Sequence, residues 1–509
     1  MEINKSIFKP TLQITFFSLI GIIIGFSTQL IIAYYFGTTF ERDAYFVAII
    51  VPTYISSIFI GSFGVIFLPK VVDILKSENK KALSDFVSIV FCFILFFLVL
   101  IVSFSLIIPN QIVQLISPGF DFDQIQSTSK ILKIVIPAII FNVSGNLLAS
   151  LYQIQHKFIR PAIAPIVLLI ISLIFVIFFS ETLGIYSLAL GYLFGSFFAF
   201  VIQLPILKNY DFRLYFDFKN KDVILFIRLV FPILLTGIIF RSNILFERII
   251  ASGLEVGSIS YLGYSTQIIV VLGTLIASGI VTSTYPVLSK LWSNNDISDF
   301  GQYFIQTLRT ILLISIPISF SLILFGEQFV MYIFERGAFT SNDTILVSKS
   351  LVWLVGAFIF QAIGGLVAKI LYIAKHTLIS SIISCIEIFI YIFLGYFLSR
   401  QFSFIGLAMA LSISTGFNIV MSVYFIDRKI MKINYKFLFI ELLKIIFNST
   451  VSILGVYWVF NYIFKDNNFL SLIISFVFGI LIFLIVGVIL KMKDILIMKN
   501  KLVEIRFFK

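Results

Sequence analysis

Apolar runs of about 20 residues recur from one end of this chain to the other, and no other feature constrains its fold as strongly. A helix of that length spans a hydrocarbon core of about 30 Å while satisfying its own backbone hydrogen bonds. Of the 509 residues, 60% are hydrophobic and 12% charged, with mean hydropathy +1.09. A soluble domain carries roughly 45–50% apolar residues. The expected class is therefore an all-α polytopic membrane protein. Most polar connections are about 5 to 20 residues, too short for an extramembrane catalytic domain. The N-terminal apolar stretch follows a charged start and lacks a small-residue cleavage pattern, so it reads as the first spanning helix.

Little chemistry is available outside the spans. Cys92 and Cys385 lie in apolar runs, where they serve as small hydrophobes, and no disulfide framework is indicated. His156 and His376 have no partner at ligand spacing, so neither a metal nor another cofactor is expected.

The net charge of +12 finds its meaning in the placement of the Lys and Arg residues. One set of connections holds 24 of them: Lys5 and Lys9, the Lys70–Lys81 stretch, Lys157 and Arg160, the Lys208–Lys221 stretch, Lys290, Lys375, the Arg428–Lys436 stretch and the tail from Lys491 to Lys509. The alternate connections hold only 5: Arg42, Lys130, Arg336, Arg400 and Lys465. This asymmetry predicts an even number of crossings, fourteen, with both termini cytoplasmic. The positive charge reports topology and contact with anionic phospholipid, and no nucleic-acid partner is expected.

The predicted helices are 12–36, 45–69, 86–108, 131–154, 161–180, 186–206, 223–252, 259–286, 304–326, 344–372, 377–399, 404–426, 438–463 and 469–490. Helices 1–6 and 7–12 read as two copies. Ala44–Lys70 matches Ser260–Lys290 in layout, each ending in a Pro shortly before a basic-side Lys. "SPGFDFDQ" (Ser117–Gln124) matches "ERGAFTSND" (Glu335–Asp343), with Gly119 and Gly337 218 residues apart. "GNLLASLYQIQHKF" from Gly145 aligns with "GGLVAKILYIAKHT" from Gly364 at nearly the same offset. The implied organisation is a six-helix bundle over 1–222, a second over 223–430 related by a pseudo-two-fold axis, and helices 13–14 with a basic tail over 431–509. Parallel repeats of this kind place a binding cleft near the midplane, which is a transporter plan.

Ionisable groups in a spanning helix cost about 2.5–3.5 kcal/mol on insertion scales and generally face an interior pathway. Arg241 falls mid-way along helix 7, with Glu247 and Arg248 about two turns on; Arg241, Ile244 and Arg248 share a face of a continuous helix. Lys369 in helix 10 and Glu387 in helix 11 are the other inward candidates. The first half offers Thr28, Gln29, Ser56, Ser57, Asn142 and Asn146. A cationic cleft would take an anionic headgroup through charge-assisted hydrogen bonds from Arg241 and Lys369. The competing reading pairs Glu247 with Arg248 or Arg241 as structural glue. Arg42–Asp43 and Glu335–Arg336 read as interfacial caps, and "FERGAFT" (Phe334–Thr340) as a glycine-turned outer hairpin. Pro52, Pro137, Pro165, Pro232 and Pro317 mark kinks, and Gly145, Gly364 and Gly365 are candidate bending points.

The segments "ERDAYFVAIIVPTYI", "LYQIQHKFIRPAIAP", "SISYLGYSTQIIVVLGTLIASGIVTSTYPVLSK" and "FERGAFTSND" together resemble the MurJ (MviN) lipid II flippase family, within the multidrug and oligosaccharidyl-lipid (MOP) exporter superfamily. The resemblance runs over essentially the whole chain. It implies fourteen helices and the flipping of undecaprenyl-diphosphate-linked glycans, lipid II or a related oligosaccharide lipid, for cell-wall or surface-polysaccharide assembly at the bacterial cytoplasmic membrane. It further implies that helices 13 and 14 form a groove for the lipid tail, and that cell-wall synthesis machinery is a candidate partner. Cleft arginines of the family in helices 1, 2 and 8 are matched here by Ile22 and Thr28, Ser56, and Gln267, whereas Asp43 matches its acidic residue after helix 1.

The expected function is thus a non-enzymatic flippase, with Arg241, Lys369, Arg248, Asn142, Asn146, Gln267, Ser56 and Thr28 as substrate-binding candidates. Glu247, Glu387 and Asp43 are ion-coupling or structural candidates, with a Na+ or H+ gradient or the membrane potential as driving force. An ion-coupled drug or cation antiporter is the alternative, and it would rest on Glu247 and Glu387. Acid/base chemistry for a glycosyltransferase finds no constellation in the loops.

Overall fold

The computed structural model describes residues 2–76, 80–217, 219–464 and 468–496. Lys465, Lys499, Lys501, Arg506 and Lys509, which contribute to the charge asymmetry, lie outside the described residues. The described residues are all-α, with 14 helices among them long and apolar enough to cross a membrane. Helices 1–3 cover Glu2–Phe36, Phe40–Lys76 and Lys80–Ile107, and a short helix over Pro109–Ile116 follows. Helix 4 comprises Phe122–Val135 and Ala138–Ile154; helices 5 and 6 cover Ile159–Leu183 and Tyr186–Val201. Helix 7 comprises Lys221–Phe240 and Ser242–Ala251. Helices 8–12 cover Ser258–Ser293, Ile297–Phe334, Ser341–Ile373, Thr377–Phe402 and Phe404–Lys429. Helix 13 runs over Tyr435–Trp458 and ends in a π-turn, and helix 14 over Phe469–Ile489.

Several helices outrun their apolar stretches. Hydropathy reads where a segment enters hydrocarbon, whereas caps decide where the helix ends. Helix 9 begins at Ile297 because the Asp296 side chain accepts the Asp299 N–H, well before the expected start at 304. Helix 2 begins at Phe40, so Arg42 and Asp43 lie in its first turn. There they are buried, 1% and 3% exposed, which replaces the expectation of solvated interfacial caps.

Pro137 divides helix 4 because a proline offers no N–H to the preceding turn. Pro52, Pro165, Pro232 and Pro317 sit inside continuous helices. Helices 4 and 10 run unbroken through Gly145, Gly364 and Gly365.

Two compact units contain the chain, one made of residues 1–261 and 336–343, the other of 262–335 and 344–509. In the first, Phe67, Phe86 and Phe226 bring helices 2, 3 and 7 together, with ring centroids 6.0 to 6.2 Å apart. Lipid offers no hydrophobic drive for such contacts, so close packing must hold them. In the second, helix 9 departs from helical geometry at Phe325 (φ −117°), and that ring packs with Ile453, Val456, Phe460 and Leu472. This cluster fastens helices 13 and 14 to helix 9 and accounts for the two helices outside the repeat.

Candidate functional site

Four turns that the charge pattern assigns to the less basic face meet within the first unit. Gly337 (φ +63°) lies so close to helix 1 that a β-carbon there would stand 2.3 Å from the Tyr34 carbonyl oxygen. Gly119 lies equally close to the helix 7–8 turn, its β-carbon position 2.5 Å from the Ser252 carbonyl oxygen. Tyr34 and Ser252 are separated by 218 residues, as are Gly119 and Gly337. The third turn of each repeat therefore docks on the first turn of the other, in a reciprocal exchange. The Ala338 N–H donates to the Tyr34 carbonyl at 2.7 Å, and the Gly119 N–H to Ser252 Oγ at 3.2 Å.

Two carboxylates tie this closure. Asp43 accepts the Gly257 N–H at 2.7 Å and the Ser260 N–H at 2.8 Å, together with the Ser260 hydroxyl. A carboxylate so placed meets both the unpaired donors and the positive dipole end of helix 8. Asp343 accepts the Thr340 N–H and hydroxyl at 2.7 and 2.9 Å, and the Thr38 hydroxyl. Arg42 is packed beneath, its guanidinium 3.9 Å from the Phe46 ring centroid and donating to Gln29 Oε1 at 3.1 Å. Thr38, Ser260, Asp343 and Arg42 were absent from the residues expected to matter. The available signal was a pair of aspartates just after turn glycines, Gly37 with Asp43 and Gly337 with Asp343.

Helix 7 was expected to be continuous over 223–252; it breaks at Arg241, whose φ and ψ are −110° and 2°. The cause lies in side chains entering the hydrogen-bond ladder. Tyr54 of helix 2 donates its hydroxyl to the Ile238 carbonyl at 2.8 Å, the acceptor that the Ser242 N–H would use in an unbroken helix. The Ser242 hydroxyl takes the Ile239 carbonyl at 2.8 Å. Tyr54, Ile58 and Gly61 follow i, i+4, i+7 spacing and form the face of helix 2 against the break. A β-carbon at Gly237 would stand 3.2 Å from Ile58, and one at Gly61 would stand 3.7 Å from Arg241 Nη2. Arg241 itself is exposed. The break also separates it from Arg248, which is 8% exposed, 3.2 Å from Glu247 and 5.3 Å from the Phe46 ring centroid.

Asn142 and Asn146 line one small cavity of about 160 Å³ with Ser196 and Gln203. Asn142 donates to the Tyr192 hydroxyl at 2.8 Å, and Asn146 to the Asn142 carbonyl at 3.1 Å. Thr28 is buried and donates to Ile24 of its own helix at 2.8 Å. Ser56 is buried with no hydrogen-bond partner for Oγ among the described residues.

In the second unit Lys369 holds its ammonium 4.9 Å from the centre of the Tyr285 ring, a cation–π contact. Glu387 accepts from Asn418 Nδ2 at 2.6 Å and lines a cavity of about 280 Å³ with Gln361, Ser384 and Thr415. Gln267 is half-buried on helix 8. No group of three His, Cys, Asp or Glu arranged for a metal occurs among the described residues.

A model of the lipid II flippase MurJ family matches residues 32–490. The chain belongs to the MurJ family. The chain is 29% identical over 474 residues to the lipid II flippase MurJ of Thermosipho africanus, covering 92% of this chain and 93% of that one. It is 27% identical over 421 residues to a probable lipid II flippase MurJ of Buchnera aphidicola subsp. Baizongia pistaciae, covering 81% and 82% of the two chains. A solved structure of MurJ in an inward closed conformation superposes with TM-score 0.83 at 26% identity, over 95% of this chain and all of that one. An inward-facing multidrug transporter of the MOP superfamily shares the fold, with TM-score 0.63 at 11% identity over 84% of this chain and 94% of that one. Within the MurJ family this chain is a multi-pass membrane protein, and Arg241 stands at the break in helix 7.

Proposed function

We propose that the protein is a flippase that moves a polyprenyl-diphosphate-linked glycan, lipid II or a related precursor, across the bacterial cytoplasmic membrane by alternating access. The observation that carries the reading is the family match over residues 32–490. Arg241 supports it chemically: a guanidinium at a helix break, close to a glycine of helix 2, has room to receive a diphosphate through paired charge-assisted hydrogen bonds. Lys369 is the second candidate cation, and the groove of helices 13 and 14 the candidate seat of the prenyl tail. The basic connections and both termini face the cytoplasm, so the four-turn closure seals the outer side. Release of the Asp43 and Asp343 bonds is then the event that opens the outer side. Glu387, with Asn418 and the hydroxyls around it, is the proposed place where a coupling ion acts. Surrounding phospholipids and the cell-wall synthesis machinery complete its proposed partners.

The test is complementation. A bacterium depleted of its own lipid II flippase and expressing this protein should regain growth, and Arg241→Ala at equal membrane abundance should not support it. Failure of the correctly inserted wild type to restore growth would overturn lipid II as the substrate.

A further inference from the structure

One cavity plays no part in this reading. It lies in the second unit, has a volume of about 690 Å³, and is lined by the first turns of helix 9, the helix 12–13 connection and the turn after helix 14. These three elements have their apolar spans starting at 304 and 438 and ending at 490, so the cavity straddles the level at which the chain leaves the hydrocarbon. All three are on the basic side by the charge count.

Its lining divides by chemistry. Ile297, Ile305, Ile433 and Phe437 form an apolar wall, while Arg309, Lys432 and Lys493 supply positive charge. Asp494 is the acidic residue of the lining, and Arg309 Nη2 already holds it at 2.6 Å. Glu441, behind Arg309, is shared between Arg309 Nε at 3.4 Å and Lys444 Nζ at 3.0 Å. The inner cluster of Arg309, Lys444, Glu441 and Asp494 is thus balanced. Among the described residues Lys493 remains with only a distant ring, its ammonium 5.7 Å from the centre of Phe437, and Lys432 with a loose pair to Asp427 at 3.6 Å. The start of helix 13 adds to this excess, because its cap, Asn434, is neutral and opens on the cavity. Helix 9 adds nothing, because Asp296 already caps it.

A cationic mouth above an apolar wall at the membrane interface suits a ligand that carries phosphate at one end and hydrocarbon at the other. We propose that this cavity is a binding site for the phosphodiester headgroup of an anionic glycerophospholipid, clamped by Lys432 and Lys493, with its acyl chains running along helix 13. Such a lipid would join helix 9, the helix 12–13 connection and the C-terminal turn, while Arg309 joins helix 9 to helix 13 and that turn from inside. The inference is independent of the glycan that the protein carries, and its test involves no transport.

The experiment is lipid binding by the purified full chain in detergent, read by native mass spectrometry. The probes are phosphatidylglycerol, phosphatidylcholine with the same acyl chains, and glycerol 3-phosphate. Phosphatidylglycerol is expected to bind more tightly than phosphatidylcholine, and the Lys432→Gln/Lys493→Gln variant to lose about tenfold or more, since one basic residue near an anionic surface contributes roughly 1 kcal/mol. Lys80→Gln/Lys81→Gln, which removes exposed lysines from the same face, should leave binding unchanged. Equal binding of both phospholipids, or an equal loss in the two variants, would overturn a specific site. Binding of glycerol 3-phosphate as tight as that of the lipid would overturn the lipid assignment in favour of a soluble phosphate ligand.

Discussion

Gly337 rests on the backbone of Tyr34, with no room for a β-carbon between them. A β-carbon at Gly337 would have to adopt the left-handed backbone (φ +63°) and stand 2.3 Å from an oxygen that already accepts the Ala338 N–H. Gly337→Ala should therefore undock the turn, adding strain of about 1–3 kcal/mol to the lost bond. The expected result is a thermal midpoint lowered by several degrees, with Gly64→Ala, where nothing lies within 4 Å, melting like the wild type. Equal midpoints for the two variants would contradict the docking.

Asp43 holds the start of helix 8 by its charge as well as its shape. Asp43→Asn keeps one carbonyl acceptor but turns an NH₂ group toward donors, so at least one bond to Gly257 or Ser260 is lost. Hydrogen bonds to charged groups contribute about 1.5–3 kcal/mol. Hydrogen–deuterium exchange of the Gly257–Ser260 amides should quicken by about tenfold or more. Unchanged exchange would show that the carboxylate does not hold this turn.

Tyr54 is the hydroxyl that keeps helix 7 broken. Tyr54→Phe leaves the Ile238 carbonyl without its partner, and the least costly repair is for Ser242 to close the helical ladder. Hydrogen bonds of this kind between spanning helices contribute about 0.6–2 kcal/mol. Thermal unfolding should shift down modestly, and a spin-label distance across residues 234 and 249 should move toward the value for a straight helix. An unaltered distance would place the cause of the break elsewhere.

Arg309 sits between Glu441 and Asp494, and its removal leaves Asp494 without its partner while Glu441 keeps only Lys444. Arg309→Met should cost about 3–5 kcal/mol. Arg309→Met with Asp494→Asn should recover most of the loss, because Glu441 and Lys444 then remain as a matched pair. Unfolding curves of the two variants in one detergent would check this, and failure of the double variant to recover would contradict a charge-balanced cluster.

How far these features were legible follows from the range of the forces involved. The fourteen spans were, because the transfer of 20 apolar residues is a local property of each run. The repeat was legible in Gly119 and Gly337, although their function as reciprocal contacts was not, since Tyr34 and Ser252 contribute backbone atoms that any residue would supply. Arg241 stood out as a charge in hydrocarbon. Its position at a break did not, because the Tyr54 hydroxyl that causes the break comes from 184 residues away in sequence. Arg42 read as a cap because hydropathy places the helix 2 entry too late, whereas its burial depends on Phe46 and Gln29 packing around it.

Arg241 is the residue proposed to receive the diphosphate of a glycan lipid. The most direct measurement is the flipping of fluorescent lipid II, and of an undecaprenyl-diphosphate oligosaccharide without peptide, in proteoliposomes holding wild type, Arg241→Lys or Arg241→Ala. The expected result is flipping of at least one lipid by the wild type, partial activity in Arg241→Lys and collapse in Arg241→Ala with the fold intact. Flipping by Arg241→Ala at the wild-type rate, or none by a folded wild type, would contradict it.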